Sequence, residues 1–282
     1  MPTRLIDGKS IAARIREDAK TQIRQLGFTP GLGVLLVGDD SASHLYVGLK
    51  EKACLASGIK MEKKLLPTAA TEAEVLAVIA GFNGRPDIDA VLVQLPLPPH
   101  LDEDHIIAAI DPQKDVDGFN PDKVAAFRRG ERGALPPGLA AGIMELIIAT
   151  DVDIVSHRAV VLANSLVFFE PLAAILKRSA VNSEFVRPDD EELVAKTRTA
   201  DILIVAIGRP GFVKGEMCKP GAIVIDVGTN RVDGRTVGDV DAASVRNIIA
   251  HLSPVPGGVG PMTVAMLIAN VVELAKRRRQ IV

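Results

Sequence analysis

Short apolar runs alternate with segments of helical periodicity along almost the whole chain, and this alternation constrains the fold more than any other feature. The runs "GLGVLLVGDD" and "IDAVLVQLPLP" have the composition of buried strands, whereas "TEAEVLAVIAGFN" is typical of a helix. Strands that are apolar on both faces and separated by helices belong to parallel sheets covered on both sides. The sequence therefore predicts an α/β fold.

A segment rich in proline, glycine and charge interrupts the alternation between residues 118 and 140. Beyond it, "RAVVLA", "DILIVAIG" and "GAIVIDVG" restart the pattern in the manner of a doubly wound, Rossmann-type dinucleotide-binding fold. We therefore predict two α/β domains that flank a cleft. The first covers residues 1–138, the second covers 139–261, and a C-terminal helix over 262–282 packs back on the first.

The composition excludes several functional classes. The 282 residues are 48% hydrophobic and 24% charged with a net charge of -2, which is typical of a globular protein without a nucleic-acid surface. Cys54 and Cys218 form no CxxC pair, so we expect neither a disulfide framework nor a zinc site. We find no signal peptide and no membrane span, and we expect a cytoplasmic protein with no membrane partner.

Two charged clusters have ordinary structural interpretations. In "HLDEDH", the spacing of His100 and His105 does not place both on one helix face, and the acids between them suit a helix N-terminus, so we expect no metal. The basic run from residue 276 to 279 is interpreted as the solvated last turn of a helix.

Ligands of open parallel sheets bind beyond the carboxyl ends of the strands, and three stretches lie at such ends. Gln94 ends one predicted strand, Asp115 and Asp117 follow in "KDVDGF", and "SPVPGGVGPMT" places glycines before a helix. The ordinary alternatives are a strand-ending loop for Gln94 and a turn cap for one of the two carboxylates. A glycine loop at a helix start also lets a ligand approach backbone amides.

Tyr46, the only tyrosine, lies four residues before Lys50 in a predicted helix, so the two share a face. An amphipathic surface helix with a partly buried ring explains this pattern as well as a site does. A lysine held in a buried site near a cationic ligand loses its proton more easily. Lowering its pKa from about 10.4 to near 7 costs roughly 4–5 kcal/mol, which burial and a like charge supply. Such a lysine serves as a general base or donor at neutral pH.

Six stretches, taken in order, resemble the signatures of the bifunctional methylenetetrahydrofolate dehydrogenase / methenyltetrahydrofolate cyclohydrolase family. They are "YVGLKEKACLASGI", "VLVQLPLPPH", "KDVDGF", "GAIVIDVGTNR", "GDVD" and "PVPGGVGPMTVAML". The resemblance spans nearly the whole chain. It implies a tetrahydrofolate derivative as the substrate, NADP or NAD as the cofactor, and a homodimer.

The resemblance also implies roles for the residues at the strand ends. Lys50 matches the catalytic lysine, and Gln94 matches its hydrogen-bonding partner. Tyr46 matches the ring that lies along the aminobenzoate of the folate, and Asp117 matches the carboxylate that binds the pterin nitrogens. The substrate-contacting glycine loop corresponds to Pro256, Gly257 and Gly258. On this resemblance, Lys50 and Gln94 activate the water that attacks methenyltetrahydrofolate.

The match fails where the family contacts its dinucleotide. The family carries Gly-Arg-Ser and then Val-Gly-x-Pro, and this chain has "ANSLVFFEP". Ala163 and Asn164 stand in place of the glycine and the arginine, Ser165 is retained, and Phe169 replaces the glycine that lets the pyrophosphate approach. The cofactor-binding positions are therefore Asn164 and Ser165 in a diverged motif.

Two further segments depart from the family. After the next strand, a Ser-Arg-Thr is replaced by Pro188, Asp189 and Asp190, and aspartates repel the ribose phosphate that an arginine binds. The Pro-Cys-Thr-Pro segment is replaced by "LPPGLAAGIMEL". These changes predict an altered or lost NADP pocket, unless another loop holds the cofactor or NAD replaces NADP.

Three functions follow from these observations. The favoured one is a folate enzyme that retains cyclohydrolase chemistry, with weak or absent dehydrogenase activity. The alternatives are a fully bifunctional enzyme with altered NAD(P) contacts and a non-enzymatic homologue that binds folate or a partner subunit. The presence of Tyr46, Lys50, Gln94 and Asp117 argues against the non-enzymatic homologue.

Overall fold

A computed structural model describes residues 2–131 and 134–281, and within them it confirms the α/β alternation. The positions Arg132 and Gly133 of the predicted break lie outside the described residues. The helices are α1 (Gly8–Gln25), α2 (Ser41–Ser57), α3 (Glu72–Gly84), α4 (Glu103–Ala108), α5 (Pro121–Arg128), α6 (Gly138–Ile148), α7 (Leu166–Arg178), α8 (Leu193–Thr197), α9 (Ala242–Val245) and α10 (Val259–Arg278). The strands are β1 (Arg4–Leu5), β2 (Gly31–Val37), β3 (Lys60–Leu66), β4 (Ala90–Val93), β5 (Arg158–Ala163), β6 (Asn182–Val186), β7 (Ile202–Ala206), β8 (Ile223–Asp226), β9 (Asn230–Val232), β10 (Arg235–Val237) and β11 (His251–Leu252).

The chain divides into two compact units, which we name for their sheets. The six-stranded unit comprises the residues up to Ala12 and Leu139–Thr263. The three-stranded unit comprises Ala13–Gly138 and the residues from Val264 onward. The expected first domain began at residue 1, and the structure corrects this because β1 pairs in parallel with β11 in the six-stranded sheet.

The three-stranded unit is a parallel sheet of order β3-β2-β4 with a core on each face. Side chains alternate along β2, so Leu32 and Leu36 pack on one face and Leu35 and Val37 on the other. Residues of α1 and α10 cover the first face, and residues of α3 and α4 cover the second. Burial on both faces explains why β2 is apolar throughout.

The six-stranded unit is a parallel sheet of order β1-β11-β8-β7-β5-β6. The strand that follows β5 in the chain lies on one side of it, and β7 lies on the other. The strand order therefore reverses between β5 and β7, which is the place where doubly wound sheets bind ligands. The Rossmann-type prediction is confirmed.

Helix α10 is long and apolar enough to cross a membrane by length and composition, although 56% of its most apolar window is buried within the protein. Leu267, Ile268 and Val271 belong to the same core as the first face of β2. The protein core therefore accounts for the apolar character of this helix.

The basic run at the end of α10 is not simply solvated, which corrects the interpretation from sequence. The carboxylate of Asp89 is 1% exposed, and it lies 3.5 Å from Arg278 Nη1 and 3.2 Å from Arg279 Nη2. The guanidinium of Arg279 also lies 3.6 Å from the ring centre of Phe28. A buried carboxylate needs a cationic partner, and the sequence pattern did not reveal that partner.

Candidate functional site

The carboxyl edge of the three-stranded sheet gathers the residues that the sequence singled out. Gln94 directly follows β4. The segment that contains "KDVDGF" extends the same edge, because Asp115 forms a parallel bridge with Val91 of β4. Asp117 lies two residues beyond that bridge. Since parallel strands end at the same edge, the sheet brings Gln94 and Asp117 to one side of the unit.

Helix α2 delivers the lysine to this edge. It begins directly after the loop that follows β2, where Asp40 caps it by accepting a 2.7 Å hydrogen bond from Ser43 N. Near the middle of the helix, Lys50 Nζ donates a 3.0 Å hydrogen bond to Gln94 Oε1. Gln94 is only 9% exposed, and its Nε2 donates to Leu95 O at 2.6 Å. The second bond points the Gln94 oxygen at the lysine.

Tyr46 lies one helical turn before Lys50 and is 45% exposed. Its ring therefore stands at the surface of α2, on the face that carries the lysine. A half-exposed aromatic ring beside a charged group offers a flat apolar surface to a planar ligand.

Asp117 is electrostatically coupled to the lysine. Burial raises the pKa of the Asp117 carboxyl above its ordinary value, and the negative charge of Asp115 raises it further, whereas the positive charges of Lys50 and Lys123 lower it. Lys50, Gln94 and Asp117 therefore form a polar cluster at the carboxyl edge of the sheet, in which Lys50 contacts Gln94 directly and its charge acts on the Asp117 carboxyl.

The other residues of "KDVDGF" hold the loop in place. Lys114 is 1% exposed, and its ammonium donates to the carbonyls of three residues at the end of α3, at 2.9, 2.7 and 2.7 Å. Asp115 is the turn cap, since its carboxylate accepts from the amides of Gly118 and Asn120 at 3.0 and 2.8 Å. Gly118 has a φ of 78°, and a Cβ atom there would lie 2.8 Å from Pro137 Cα.

In the six-stranded unit, the loop after β5 contains the diverged motif. Asn164 Nδ2 donates a 3.0 Å hydrogen bond to Ile207 O, in the loop that follows β7. This bond crosses the point where the strand order reverses. Ser165 is the N-cap of α7 and makes no side-chain capping bond. The amide of Asn164 thus ties two loops together at a position where an arginine was expected.

The phenylalanine and the acids of this region have partners within the unit. The Phe169 and Phe185 ring centres are 5.5 Å apart, so the Phe169 ring packs on β6. Asp189 pairs with Arg187 at 3.1 Å, and Asp190 pairs with Lys196 at 2.8 Å. Both acids expected to repel a ribose phosphate are therefore paired with cations.

Two buried carboxylates, those of Asp226 and Asp239, hold the loops at the carboxyl ends of β7 and β8. Asp239 accepts from the amides of Ile207 and Gly208 at 2.7 and 3.0 Å. Asp226 accepts from Asp239 N and Val240 N at 3.0 and 2.9 Å, and burial raises its pKa to about 6. The aspartates of the stretches "GAIVIDVGTNR" and "GDVD" thus have a structural role in this hydrogen-bond network.

The glycine loop before α10 is tightly packed. Gly257 has a φ of 114°, which a side chain would strain. A Cβ atom at Gly258 would lie 2.8 Å from both Pro254 O and Ser253 Cβ. Packing alone therefore accounts for the glycines, and the substrate-binding role of Pro256, Gly257 and Gly258 stays a prediction.

The "HLDEDH" cluster has structural roles. Asp102 caps α4 by accepting from His105 N at 3.0 Å. The imidazole of His105 lies 2.7 Å from Glu72 Oε1, and that of His100 lies 2.9 Å from Ala70 O. In residues 2–131 and 134–281, no group of three or more histidine, cysteine, aspartate or glutamate side chains is placed to hold a metal ion.

Sequence reasoning missed Lys123 and Asn270, which both contact the Asp117 loop. Lys123 is the third residue of α5, where the helix dipole disfavours a cation. Asn270 interrupts the apolar run "AMLIANVVEL" of α10. A cation at a helix start and a polar residue on a core face both indicate a specific partner, and these were the available signals.

Known proteins resemble this chain over nearly its full length. Residues 6–117 match the family model described as "Tetrahydrofolate dehydrogenase/cyclohydrolase, catalytic domain", and residues 137–279 match "Tetrahydrofolate dehydrogenase/cyclohydrolase, NAD(P)-binding domain". The bifunctional protein FolD of Bordetella petrii is 44% identical over 278 residues, covering 97% of this chain and 94% of that protein.

Two solved structures have the same fold. The bifunctional FolD enzyme of Campylobacter jejuni has a TM-score of 0.94 at 39% identity, covering 98% of this chain and 99% of the other. The Trypanosoma brucei enzyme, which was solved with NADP and an inhibitor, has a TM-score of 0.93 at 34% identity and covers 99% of each chain. Both likenesses extend across the two units.

Proposed function

Because the chain belongs to the tetrahydrofolate dehydrogenase/cyclohydrolase family, we propose that it hydrolyses 5,10-methenyltetrahydrofolate to 10-formyltetrahydrofolate at the cluster of Lys50, Gln94 and Asp117. The observation that carries this proposal is the 3.0 Å hydrogen bond from Lys50 Nζ to Gln94 Oε1. The positive charge of the same lysine lowers the pKa of the Asp117 carboxyl. Such a cluster combines a proton-transfer group with a substrate anchor.

The reaction requires water to add to the amidinium carbon of the substrate. The water oxygen becomes the formyl oxygen, the bond from that carbon to N5 breaks, one water proton goes to N5 and the other leaves to solvent. Lys50 transfers the proton, and Gln94 orients the ammonium through its fixed oxygen. Asp117 accepts hydrogen bonds from the pterin, and the exposed ring of Tyr46 lies along the aminobenzoate.

We further propose that oxidation of 5,10-methylenetetrahydrofolate is weak in this protein, and that NAD serves better than NADP. A nicotinamide cofactor supplies the hydride acceptor for that step when it is bound. Asn164 replaces the expected arginine, its amide is engaged by Ile207 O, and Phe169 is fixed against Phe185. The acids after β6 are suited to a ribose hydroxyl and not to a phosphate.

The alternative is a fully bifunctional enzyme, which the match of residues 137–279 to an NAD(P)-binding domain favours. Arg187 supports it as well, because this cation lies at the end of β6, with Nη1 3.4 Å from Asn164 O. Pairing of the acids with Arg187 and Lys196 also weakens their repulsion of a phosphate.

One set of measurements tests both activities. The purified protein is given methenyltetrahydrofolate, and the hydrolysis rate is compared with the uncatalysed rate. Calorimetric titrations with NADP and with NAD are combined with an assay for reduced cofactor in the presence of methylenetetrahydrofolate. We expect hydrolysis together with poor NADP binding. Micromolar NADP affinity with rapid NADPH formation establishes the bifunctional alternative, and absence of hydrolysis refutes the cyclohydrolase.

We also propose a cytoplasmic homodimer, on the resemblance to the family. Light scattering at high protein concentration checks the dimer, and a monomer mass there contradicts it.

A further inference from the structure

Four successive carbonyl oxygens, from Lys114 to Asp117, each accept a hydrogen bond from a different part of the three-stranded unit. The donors, in the order of the carbonyls, are Val91 N, Lys123 Nζ, Asn270 Nδ2 and Gly138 N. Main-chain donors are expected beside a strand, but two of these four are side chains. The backbone that carries Asp117 is therefore held by two side chains from separate helices, Lys123 of α5 and Asn270 of α10.

Lys123 is unusual in its position as well as in its bond. It lies in the first turn of α5, where the positive end of the helix dipole opposes an ammonium group. Burial lowers its pKa, the carboxylate of Asp115 raises it, the positive charge of Arg277 in α10 lowers it, and the carboxylate of Asp117 raises it. A partly buried cation at this end of a helix costs stability unless a partner compensates for it, and the partner here is the carbonyl of Asp115 in the Asp117 loop.

Asn270 is 7% exposed and faces the core between α10 and the sheet. Its Nδ2 donates to Val116 O at 2.9 Å. A side-chain amide in an otherwise apolar helix face is retained only with a partner, since burying it without a hydrogen bond is unfavourable. The bond reaches the residue directly before Asp117.

We propose that Lys123 and Asn270 are positioning residues for Asp117: Asn270 fixes the carbonyl directly before it, and Lys123 brings a positive charge to Asp115 O, two residues before it. The inference rests on the proposed function of Asp117 as the group that binds the pterin. The two residues differ in kind, because only Lys123 acts through charge.

Because Lys123 is charged, its removal is expected to change the pH dependence of folate binding, which the loss of a purely structural residue does not. The groups that act on the Asp117 carboxyl are Lys50 from α2, Lys123 from α5 and Asp115 from its own loop. Burial raises the Asp117 pKa and Lys123 lowers it, so removal of Lys123 raises that pKa further. The carboxylate is then ionised only at higher pH, and the acidic limit of folate binding moves to higher pH.

The test measures the affinity for 5-formyltetrahydrofolate by calorimetry between pH 5.5 and 8.5. We expect Lys123→Met to shift the acidic limit of binding to higher pH, so that it binds more weakly than the wild type at the acidic end and nearly normally at the alkaline end. Lys123→Arg retains the charge and restores the profile. Lys63→Met, which removes an exposed lysine of β3 in the same unit, is the matched control.

Asn270→Ala is expected to weaken binding about 10-fold at every pH without moving the acidic limit, because it removes a hydrogen bond and no charge. If that variant does not fold, Asn270→Leu, which keeps a similar volume without the amide donor, takes its place with the same expected result. A Lys123→Met protein with the wild-type pH profile overturns the proposal for Lys123, and wild-type binding by Asn270→Ala overturns that for Asn270. Asp117→Asn separates the failures: normal binding by that variant refutes the proposed function itself.

Discussion

Lys50 Nζ and Gln94 Oε1 are joined by a 3.0 Å hydrogen bond, although the two residues lie 44 positions apart in the chain. One is in the middle of a helix and the other directly follows a strand. The bond forms because α2 returns over the sheet and because the second amide atom of Gln94 is held by Leu95 O. The ammonium is thereby fixed at a defined point on the carboxyl edge of the sheet.

Lys50→Met is expected to lower kcat for methenyltetrahydrofolate hydrolysis by roughly 100- to 10,000-fold, the usual contribution of a general acid–base group. Folate affinity should remain close to wild type, because methionine retains the length of the side chain. Stopped-flow hydrolysis and calorimetric binding measure the two quantities. Lys52→Met, an exposed lysine on the same helix, is the control. Wild-type hydrolysis by Lys50→Met means that the lysine is not catalytic.

Asp117→Ala is expected to act on binding more than on turnover. Removal of the carboxylate leaves pterin donors unpaired, which costs about 1–3 kcal/mol and corresponds to roughly a 5- to 150-fold loss of affinity. The measurement is the Kd for 5-formyltetrahydrofolate at pH 7.5. Asp104→Ala, an exposed acid in the first turn of α4, controls for the loss of a negative charge. Unchanged affinity would show that Asp117 does not contact the ligand.

Asn164→Arg is expected to raise NADP affinity by about 10-fold or more, since one charge-assisted phosphate contact contributes on the order of 1.5–3 kcal/mol. NAD affinity should change little, and the gain should shrink as salt is added. Calorimetry with both nucleotides measures the difference. Asn164→Ala breaks the bond to Ile207 O without adding charge and separates the two effects. Tight NADP binding by the wild type would already contradict the premise.

Lys114→Met is expected to destabilise the protein by about 3 kcal/mol or more. The substitution leaves carbonyls of Phe82, Asn83 and Arg85 without their donor in a buried setting. A loss of this size lowers Tm by roughly 6–12 °C in a unit of this size. Circular dichroism melting measures it against Lys64→Met, an exposed lysine of β3. Equal melting of the two variants would show that the three hydrogen bonds add no net stability.

The sequence predicted what depends on local pattern. Period and apolar runs indicated the parallel sheets, because a strand buried on both faces cannot alternate polar with apolar residues. The order of the strands also indicated that Gln94 and Asp117 lie at carboxyl ends. The resemblance to a family then assigned roles to these residues, since its motifs occur in order along the chain.

Tertiary structure decided what depends on residues distant in the chain. The N-terminal segment joins the six-stranded sheet through β1. This strand is only two residues long, so no apolar run in the sequence predicts it. The partners of Asp89, and the hold of Lys123 and Asn270 on the Asp117 loop, require side chains from separate helices to converge. Sequence periodicity reports which face of an element is buried. It does not indicate which distant charged or amide side chain contacts that face, because those contacts depend on long-range packing.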